Sequence, residues 1–272
     1  MMNKLKKYGP VIVSGGILLI IIIASLLAPL SPYDPNAVNL LEKWQDPSSA
    51  HWFGTDGFGR DTFTRVLYGG RVSLMVGVFS MLISITFGTL YGIISGFSGK
   101  LVDSLMMRFV DILMAVPSFL IIITLNVYLN AGMTTMVLTI GLFSWMSVAR
   151  IVRAEVLTLR ERDFILAANG LGANKRWIIF HHMVKNVLSS VMVASTISIA
   201  NAILTESTLS YLGFGVKVPN ATWGSMLQDA QTYILTKPIQ AFYPGCFILV
   251  TVLCFNVLGN TLRAVMDPKS RG

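Results

Sequence analysis

Long apolar stretches alternate with short polar or glycine-rich segments along most of this 272-residue chain. A helix needs about 20 apolar residues to cross the hydrocarbon core of a bilayer, and six stretches come close to that length or exceed it. The pattern therefore predicts an all-α fold: a polytopic membrane protein with about six transmembrane helices. The predicted spans are residues 8–30, 73–97, 109–128, 133–152, 187–204 and 243–262.

Charged residues and a proline refine the prediction for the first and third spans. Lys4, Lys6 and Lys7 precede the first stretch, as in a signal peptide. Its apolar run of about 20 residues is nevertheless too long for a signal peptide and suits a retained membrane anchor. Pro117 predicts a kink in the third span, because proline cannot donate a helix hydrogen bond. Only residues 130–132 separate this span from the fourth, which predicts a tight helical hairpin.

The composition indicates a chain that is solvated by lipid. Hydrophobic residues make up 54% and charged residues 12%, with a mean hydropathy of +0.67, which is more apolar surface than a soluble domain buries. The net charge is +8, but the basic residues cluster in loops, which indicates the positive-inside rule rather than nucleic-acid binding. With both termini in the cytoplasm, few of the 21 Lys and Arg residues fall outside: Lys43, Arg60, Arg65, Arg71, Lys217 and Lys237.

The polar segment between the fourth and fifth spans, residues 155–186, is cytoplasmic in this topology. Small residues at its centre let a short helix approach another protein surface at nearly backbone distance, and Trp177 and Phe180 add bulky apolar anchors. This combination predicts a docking element that carries force from a soluble partner into the membrane. The small residues are Ala167, Ala168, Gly170, Gly172 and Ala173.

No motif for covalent chemistry occurs in the sequence. The nearest approach to a phosphate-binding loop, residues 95–101, has the wrong spacing and the wrong final residue. Cys246 and Cys254 share one apolar stretch, which is typical of small core residues rather than of metal ligands. We therefore expect a chain that is not an enzyme and that has no metal or cofactor site of its own. If it works against a gradient, a partner must hydrolyse the nucleotide.

The segment between the first two spans is polar, aromatic and rich in glycine. Its acids alternate with glycines, as in a calcium loop, but no bidentate Glu follows at the required offset. An ordered interfacial segment is therefore favoured over an ion site. We expect Arg60 to pair with Asp56 or Asp61, and Trp52 and Phe53 to be buried against the spans or a partner chain.

Polar groups within the spans are the predicted lining of a pathway. Asp111 is either a gating residue or, as we favour, the partner of Arg108 one turn earlier. Glu206, at the outer end of the fifth span, either contacts a substrate amine or accepts hydrogen bonds from neighbouring hydroxyls. A polar stripe on the same span either lines a wet pathway or packs against another helix, because lipid disfavours it. Its members are Ser195, Ser198, Asn201 and Thr205.

Four motifs, in order along nearly the whole chain, resemble the C-type permease of dipeptide, oligopeptide and nickel ABC importers. The cytoplasmic segment resembles the Glu-Ala-Ala motif of these permeases through Ala167, Ala168 and Gly172, with Leu166 in place of Glu and Lys185 in place of Pro. The other motifs are residues 53–61 followed by 71–74, residues 108–117, and residues 204–215 followed by Pro219 and residues 223–224.

This resemblance implies a subunit of a type I ABC importer. Residues 1–70 would carry the first helix and an extracellular segment, and residues 71–272 a permease core of five transmembrane helices. The implied partners are a second homologous permease, two ATP-binding subunits that hold ATP and Mg, and an extracellular substrate-binding protein, all within membrane lipid. The implied contacts with the ATP-binding subunits are Leu166, Ala167, Ala168, Gly170, Gly172 and Ala173.

Several alternatives to peptide import remain at this point. A nickel or metal-chelate importer of the same family and a peptide exporter keep the same fold. A secondary transporter or channel would need buried charges on several spans, and only Asp111 and Glu206 qualify. A membrane enzyme is disfavoured because no catalytic set converges.

Overall fold

The structure is a computed structural model of the chain and describes residues 2–130, 132–217 and 219–266. Its regular structure is helical there, apart from one isolated bridge between Thr55 and Asp61, so the all-α prediction is confirmed. A π-helical turn, Ile179–Met183, joins α7 to α8. The helices are α1 Met2–Leu26, α2 Thr62–Phe97, α3 Lys100–Ala115, α4 Ser118–Tyr128, α5 Met133–Arg160, α6 Asp163–Gly170, α7 Lys175–Ile178, α8 Val184–Tyr211, α9 Trp223–Gln231 and α10 Ile239–Met266.

Five helical segments in the described part of the chain are long and apolar enough to cross a membrane, and the bent pair α3–α4 makes a sixth if it is one span. The bend is 70° and lies beside Pro117, which confirms the predicted kink. The helices extend beyond the predicted apolar stretches. For example, α2 begins at Thr62 rather than at residue 73, because the Asp61 side chain accepts a hydrogen bond from the Thr64 amide and caps the helix.

Helices α2 and α5 form the most extensive helix pair of the bundle. Three glycines of α2, Gly88, Gly92 and Gly96, face α5 at four-residue intervals. A Cβ atom on Gly92 would lie 2.8 Å from the Cβ of Val152, and one on Gly96 would lie 3.0 Å from the Cβ of Val156. Only glycine permits this approach, and the close backbone contact is the main way that helices gain packing energy in lipid.

Residues 31–61, termed the cap, fold over one end of the bundle. The Arg60 Nε donates to Asp56 Oδ2 at 2.7 Å, and Arg60 Nη2 donates to Asp229 Oδ2 at 3.0 Å. Arg65 of α2 also reaches Asp229, at 3.4 Å, and is only 3% exposed. The predicted Arg60–Asp56 pair is confirmed, and the two arginines bind the cap to the segment that contains α9.

The alternative partner of Arg60 in that prediction, Asp61, has another role. It lies 2.9 Å from Nδ1 of His51 and caps α2, so it does not pair with Arg60. Phe53 stacks on Tyr243 of α10 with a centroid distance of 4.1 Å, as the predicted burial requires. Trp52 touches Phe63 of α2 but is 64% exposed, so this chain alone does not bury it, and its burial against a partner chain stays a prediction.

The opposite end of the bundle is held by a second polar cluster. Arg153 of α5 donates from Nε and Nη2 to the Asp103 carboxylate of α3, each at 2.6 Å. Ser95 of α2 donates to the same carboxylate at 2.6 Å. Arg160 donates to the Gly96 carbonyl at 2.8 Å. These bonds join α2, α3 and α5 at the end that carries the segment between α5 and α8.

The segments that connect the spans therefore lie at two opposite ends of the bundle, as six crossings require. At the cap end, the ring centroids of Trp44 and Tyr233 are 4.7 Å apart.

The predicted division of the chain between residues 70 and 71 lies inside α2, so the two predicted units share a helix. Two basic residues counted for the cytoplasmic side, Lys269 and Arg271, lie outside the described residues.

The first prediction tests this topology. Asn174 and Asn220 are both exposed and lie at opposite ends of the bundle. In a background with Cys246→Ala and Cys254→Ala, we expect a membrane-impermeant thiol reagent to label Asn220→Cys in intact cells. We expect it to label Asn174→Cys only after permeabilisation. Labelling of both from one side would contradict six crossings, and the reverse pattern would contradict the orientation.

Candidate functional site

A groove of about 900 Å³ runs between α5 and α8. The two helices are antiparallel, and Ser190 of α8 donates to Glu155 of α5 at 3.3 Å. The groove extends from the middle of the bundle to the end that carries α6. Its polar lining on the two helices consists of Ser144, Ser147, Glu155, Asn186, Ser189, Ser190, Ser198 and Asn201.

The α5 wall of the groove was missed from the sequence. Ser144, Ser147, Ile151 and Glu155 follow one another at intervals of three or four residues, which places them on one helical face. That spacing is the signal that could have identified this wall. It went unrecognised because the apolar residues between them dominate the hydropathy of the span.

The predicted stripe on α8 is divided by the structure. Ser198 and Asn201 line the groove, and Asn201 is exposed. Ser195 and Thr205 do not line it; their hydroxyls donate to the carbonyls of Val191 and Asn201, each at 2.8 Å. Only half of the predicted stripe therefore faces open space, and the other half is satisfied within its own helix.

Glu206 lies at the centre of a buried hydroxyl cluster. Its carboxylate accepts hydrogen bonds from Ser73 of α2 at 2.8 Å, from Ser210 at 2.7 Å and from Ser207 at 3.4 Å. The residue is 0% exposed, and the Trp223 amide at the start of α9 donates to Ser73. The structure therefore places Glu206 away from the groove, and the hydroxyl alternative of the two predictions is the one it shows.

Asp111 also lies outside the groove. It is on α3 and forms an ion pair with Arg150 of α5, not with Arg108 as the sequence analysis favoured. The error has a simple cause. Spacing along one helix indicates neighbours on that helix only, whereas α5 packs against α3 and presents a second arginine.

The segment between α5 and α8, residues 161–183, is termed the connector. One face of it is anchored, because Ile165, Ile178 and Met183 are buried in one cluster with Val156 and Val187 of the flanking helices. The predicted docking residues lie mostly on the free face: Leu166, Ala167, Gly170 and Gly172 are exposed, and Ala168 and Ala173 are half-buried.

The first helix of the connector, α6, is followed by a sharp turn at Gly172. Gly172 has a φ of +77°, in the left-handed region that favours glycine, and apart from its two chain neighbours no residue lies within 4 Å of where its Cβ would be. The space beside Gly172 is thus open within this chain, as a docking surface for a second protein requires.

Large apolar side chains of the connector point away from the bundle. Leu171 is 89% exposed, Phe180 69% and Leu166 55%. Trp177 stacks on His181 with a centroid distance of 4.7 Å and keeps nearly half of its surface exposed. An exposed apolar patch of this kind marks a protein or membrane contact. The adjoining small residues, which bring two backbones close together, favour a protein.

No described group of three or more His, Cys, Asp or Glu side chains is arranged to hold a metal ion. In the cap, the acids that suggested a calcium loop are used within the protein: Asp56 by Arg60, and Asp61 by His51 and the Thr64 amide. The described chemistry of the chain is therefore a polar groove beside an exposed surface of small and apolar residues.

Comparisons with known proteins extend over nearly the whole chain. A family model described as "Binding-protein-dependent transport system inner membrane component" matches residues 88–272. The chain is 42% identical to the oligopeptide transport system permease protein OppC of Bacillus subtilis (strain 168), over 99% of this chain and 87% of the relative. It is 40% identical to the dipeptide transport system permease protein DppC of Alkalihalophilus pseudofirmus, with the same coverage.

A third relative is named for another small peptide. The glutathione transport system permease protein GsiD of Pectobacterium atrosepticum is 38% identical over 93% of this chain and 84% of its own length. The chain thus spans most of the length of each of these relatives.

The second prediction concerns the Glu206 cluster. Glu206→Leu leaves the Ser73 and Ser210 hydroxyls without an acceptor, and each orphaned buried group costs about 1–3 kcal/mol. We expect a lower melting temperature for the purified protein in detergent, and a smaller loss for Glu206→Gln, which keeps one acceptor oxygen. Thr205→Val is the control, because that hydroxyl bonds only within its own helix. Equal stability of Glu206→Leu and the control would contradict the structural role.

Proposed function

Since the chain belongs to the family of binding-protein-dependent transport system inner membrane components, we propose that it is the permease subunit of an ATP-driven ABC importer for short peptides. The observation that carries the proposal is the polar groove on α5 and α8, which leads towards the exposed connector. The groove supplies one wall of a translocation pathway, and the connector supplies the surface through which a partner drives it.

Short peptides suit the lining of this groove. Hydroxyl and amide side chains such as Ser144, Ser198 and Asn201 both donate and accept hydrogen bonds, as peptide groups do. A volume of about 900 Å³ lies within the range of small-molecule sites. The relatives reported above are named for oligopeptides, dipeptides and glutathione, which favours peptides over nickel or a metal chelate.

A second permease completes the pathway in this proposal. The groove is open along one side, and lipid contact would leave its hydroxyl and amide groups without partners. A homologous chain that presents a matching wall would enclose a wet cavity between the two subunits. Lipid then covers the other faces, such as the exposed apolar side of α1 that includes Ile12, Leu19 and Ile20.

The connector is the proposed site of coupling to two ATP-binding subunits, which hold ATP and Mg. Its buried face packs on both α5 and α8, the helices that wall the groove. A displacement of the connector when ATP closes the partner subunits would therefore move both walls. Alternating access follows if the walls have two arrangements that nucleotide binding biases.

The orientation follows from charge. The connector end faces the cytoplasm, where ATP is available, and most of the loop Lys and Arg residues lie there. Both termini then lie in the cytoplasm as well. The cap and α9 face outwards, where a substrate-binding protein would deliver the peptide.

The third prediction tests coupling. Ala167→Trp places a large side chain on the exposed face of α6, where a close helix contact has no room for it. We expect the permease to remain folded in the membrane while co-purification of the ATP-binding subunits and substrate-stimulated ATP hydrolysis both fall at least about tenfold, as for a disrupted interface centre. Ala167 is a better test position than Gly172, whose positive φ would strain any substitution.

The matched control for this coupling test is Gly99→Trp. Gly99 lies at the same end of the bundle, has open space beside it and has an ordinary φ of −68°. Normal co-purification and transport for Ala167→Trp would contradict the docking assignment. Equal loss for both variants would show only that bulk at this end is not tolerated.

The fourth prediction tests the pathway. Asn201→Leu removes a polar group from the middle of the groove, so we expect ATP-dependent peptide uptake into proteoliposomes to fall while assembly and basal ATPase activity persist. Ser195→Ala, whose hydroxyl faces its own helix, should leave uptake unchanged. Loss of the complex in Asn201→Leu, or unchanged uptake, would assign Asn201 to helix packing instead.

A further inference from the structure

The charged side chains of α5 are sorted between its two faces. Towards α2 and α3 the helix presents three arginines, and each has a partner. Arg150 pairs with Asp111, Arg153 pairs with Asp103, and Arg160 donates to main-chain carbonyls at the end of α2. Towards the groove, α5 presents a single charged side chain, Glu155.

Glu155 has no cationic partner among the described residues. Its one hydrogen bond is from the Ser190 hydroxyl at 3.3 Å, and no Lys, Arg or His nitrogen of the described side chains lies within 4.0 Å. The other charged side chains of the groove are Arg263 of α10 and Arg162 and Asp163 of the connector, and neither arginine forms an ion pair with Glu155. The carboxylate is half-buried, so it is less screened than a surface acid.

Glu155 lies nearer the connector end of the groove than the uncharged polar residues Ser144 and Asn201. Pairing of Glu155 with Ser190 sets the register of the antiparallel helices, and the same register places Ser144 opposite Asn201, eleven residues further from the connector. The inner section of the groove thus has uncharged hydroxyl and amide groups. Among the groove residues of α5 and α8, the one charged group is Glu155, nearer the connector end.

A substrate that moves along the groove therefore meets its first fixed charge on α5 at Glu155. A neutral site would suffice to pass peptide groups, whereas an unpaired carboxylate attracts a cation and repels an anion. We propose that Glu155 is a specificity-determining residue that contacts the ammonium groups of the substrate, so that the permease itself favours cationic peptides over neutral ones. This inference rests on the proposed function, since it assigns a substrate preference to the same groove.

The test uses the complete transporter in proteoliposomes, with its binding protein, and two tripeptides of nearly equal shape. Ala-Lys-Ala carries a side-chain ammonium, and Ala-norleucine-Ala has the same carbon chain with hydrogen in place of the ammonium. ATP-dependent uptake of each is measured at saturating loaded binding protein, and the ratio of the two rates is compared between variants. The binding protein is the same in every measurement, so a change in this ratio reports on the permease.

We expect Glu155→Gln to lower the ratio of lysine-peptide to norleucine-peptide uptake by about two- to fivefold, the range for partly screened ion pairs. Glu155→Asp keeps the charge and should keep most of the preference. The matched control is Glu161→Gln, which makes the same change at an exposed acid outside the groove and should leave the ratio unaltered.

Three results would overturn the proposal. An unchanged ratio in Glu155→Gln would show that the carboxylate does not contact the substrate. An equal fall for both peptides, repeated in Glu155→Asp, would show that Glu155 only holds α8 through Ser190. Loss of the assembled complex in Glu155→Gln would show that Glu155 is a contact between subunits. Failure of the unsubstituted transporter to take up either peptide with ATP would instead refute the proposed function, so the two failures are distinguishable.

Discussion

The structure depends on one constraint: inside a bilayer, a polar group must find its partner within the protein or face a water-filled space. Glu206 meets the constraint through the Ser73 and Ser210 hydroxyls. At the cap end of the bundle, the buried Arg65 is likewise paired, with Asp229 and with the Pro35 carbonyl, the latter at 3.0 Å. The groove residues meet it in the other way, by facing open space. The choice of partner thus separates polar groups fixed within the protein from polar groups that face an open groove.

The framework and the working surfaces share two helices. Glycines on α2 let α5 approach closely, and the Asp103–Arg153 bonds tie α3 to the same helix. The opposite face of α5 walls the groove, and its last turns hold the connector through Val156 and Leu159. A displacement applied at the connector therefore reaches the groove through one contiguous packed cluster, without an intervening flexible segment.

The exposed small residues of the connector were predictable from sequence, whereas the groove was predictable only in part. The small residues Ala167 to Ala173 stand out because polar and small residues are unusual beside apolar spans. The groove is defined by two walls from distant parts of the chain, and only the α8 wall was recognised. Even there Ser195 and Thr205 were included, because a helical stripe covers a wider arc than the open side of the helix.

The sequence by itself determined the membrane class, a count of about six apolar segments, the bend at Pro117 and the place of the connector. Apolar length, proline and charge bias are local properties that a bilayer acts on directly. Only the tertiary structure decided which polar groups are partners. Asp111 pairs with Arg150, 39 positions away, rather than with Arg108 on its own helix. Such choices depend on the rotation of each helix and on its neighbours, which are set by packing between residues distant in sequence.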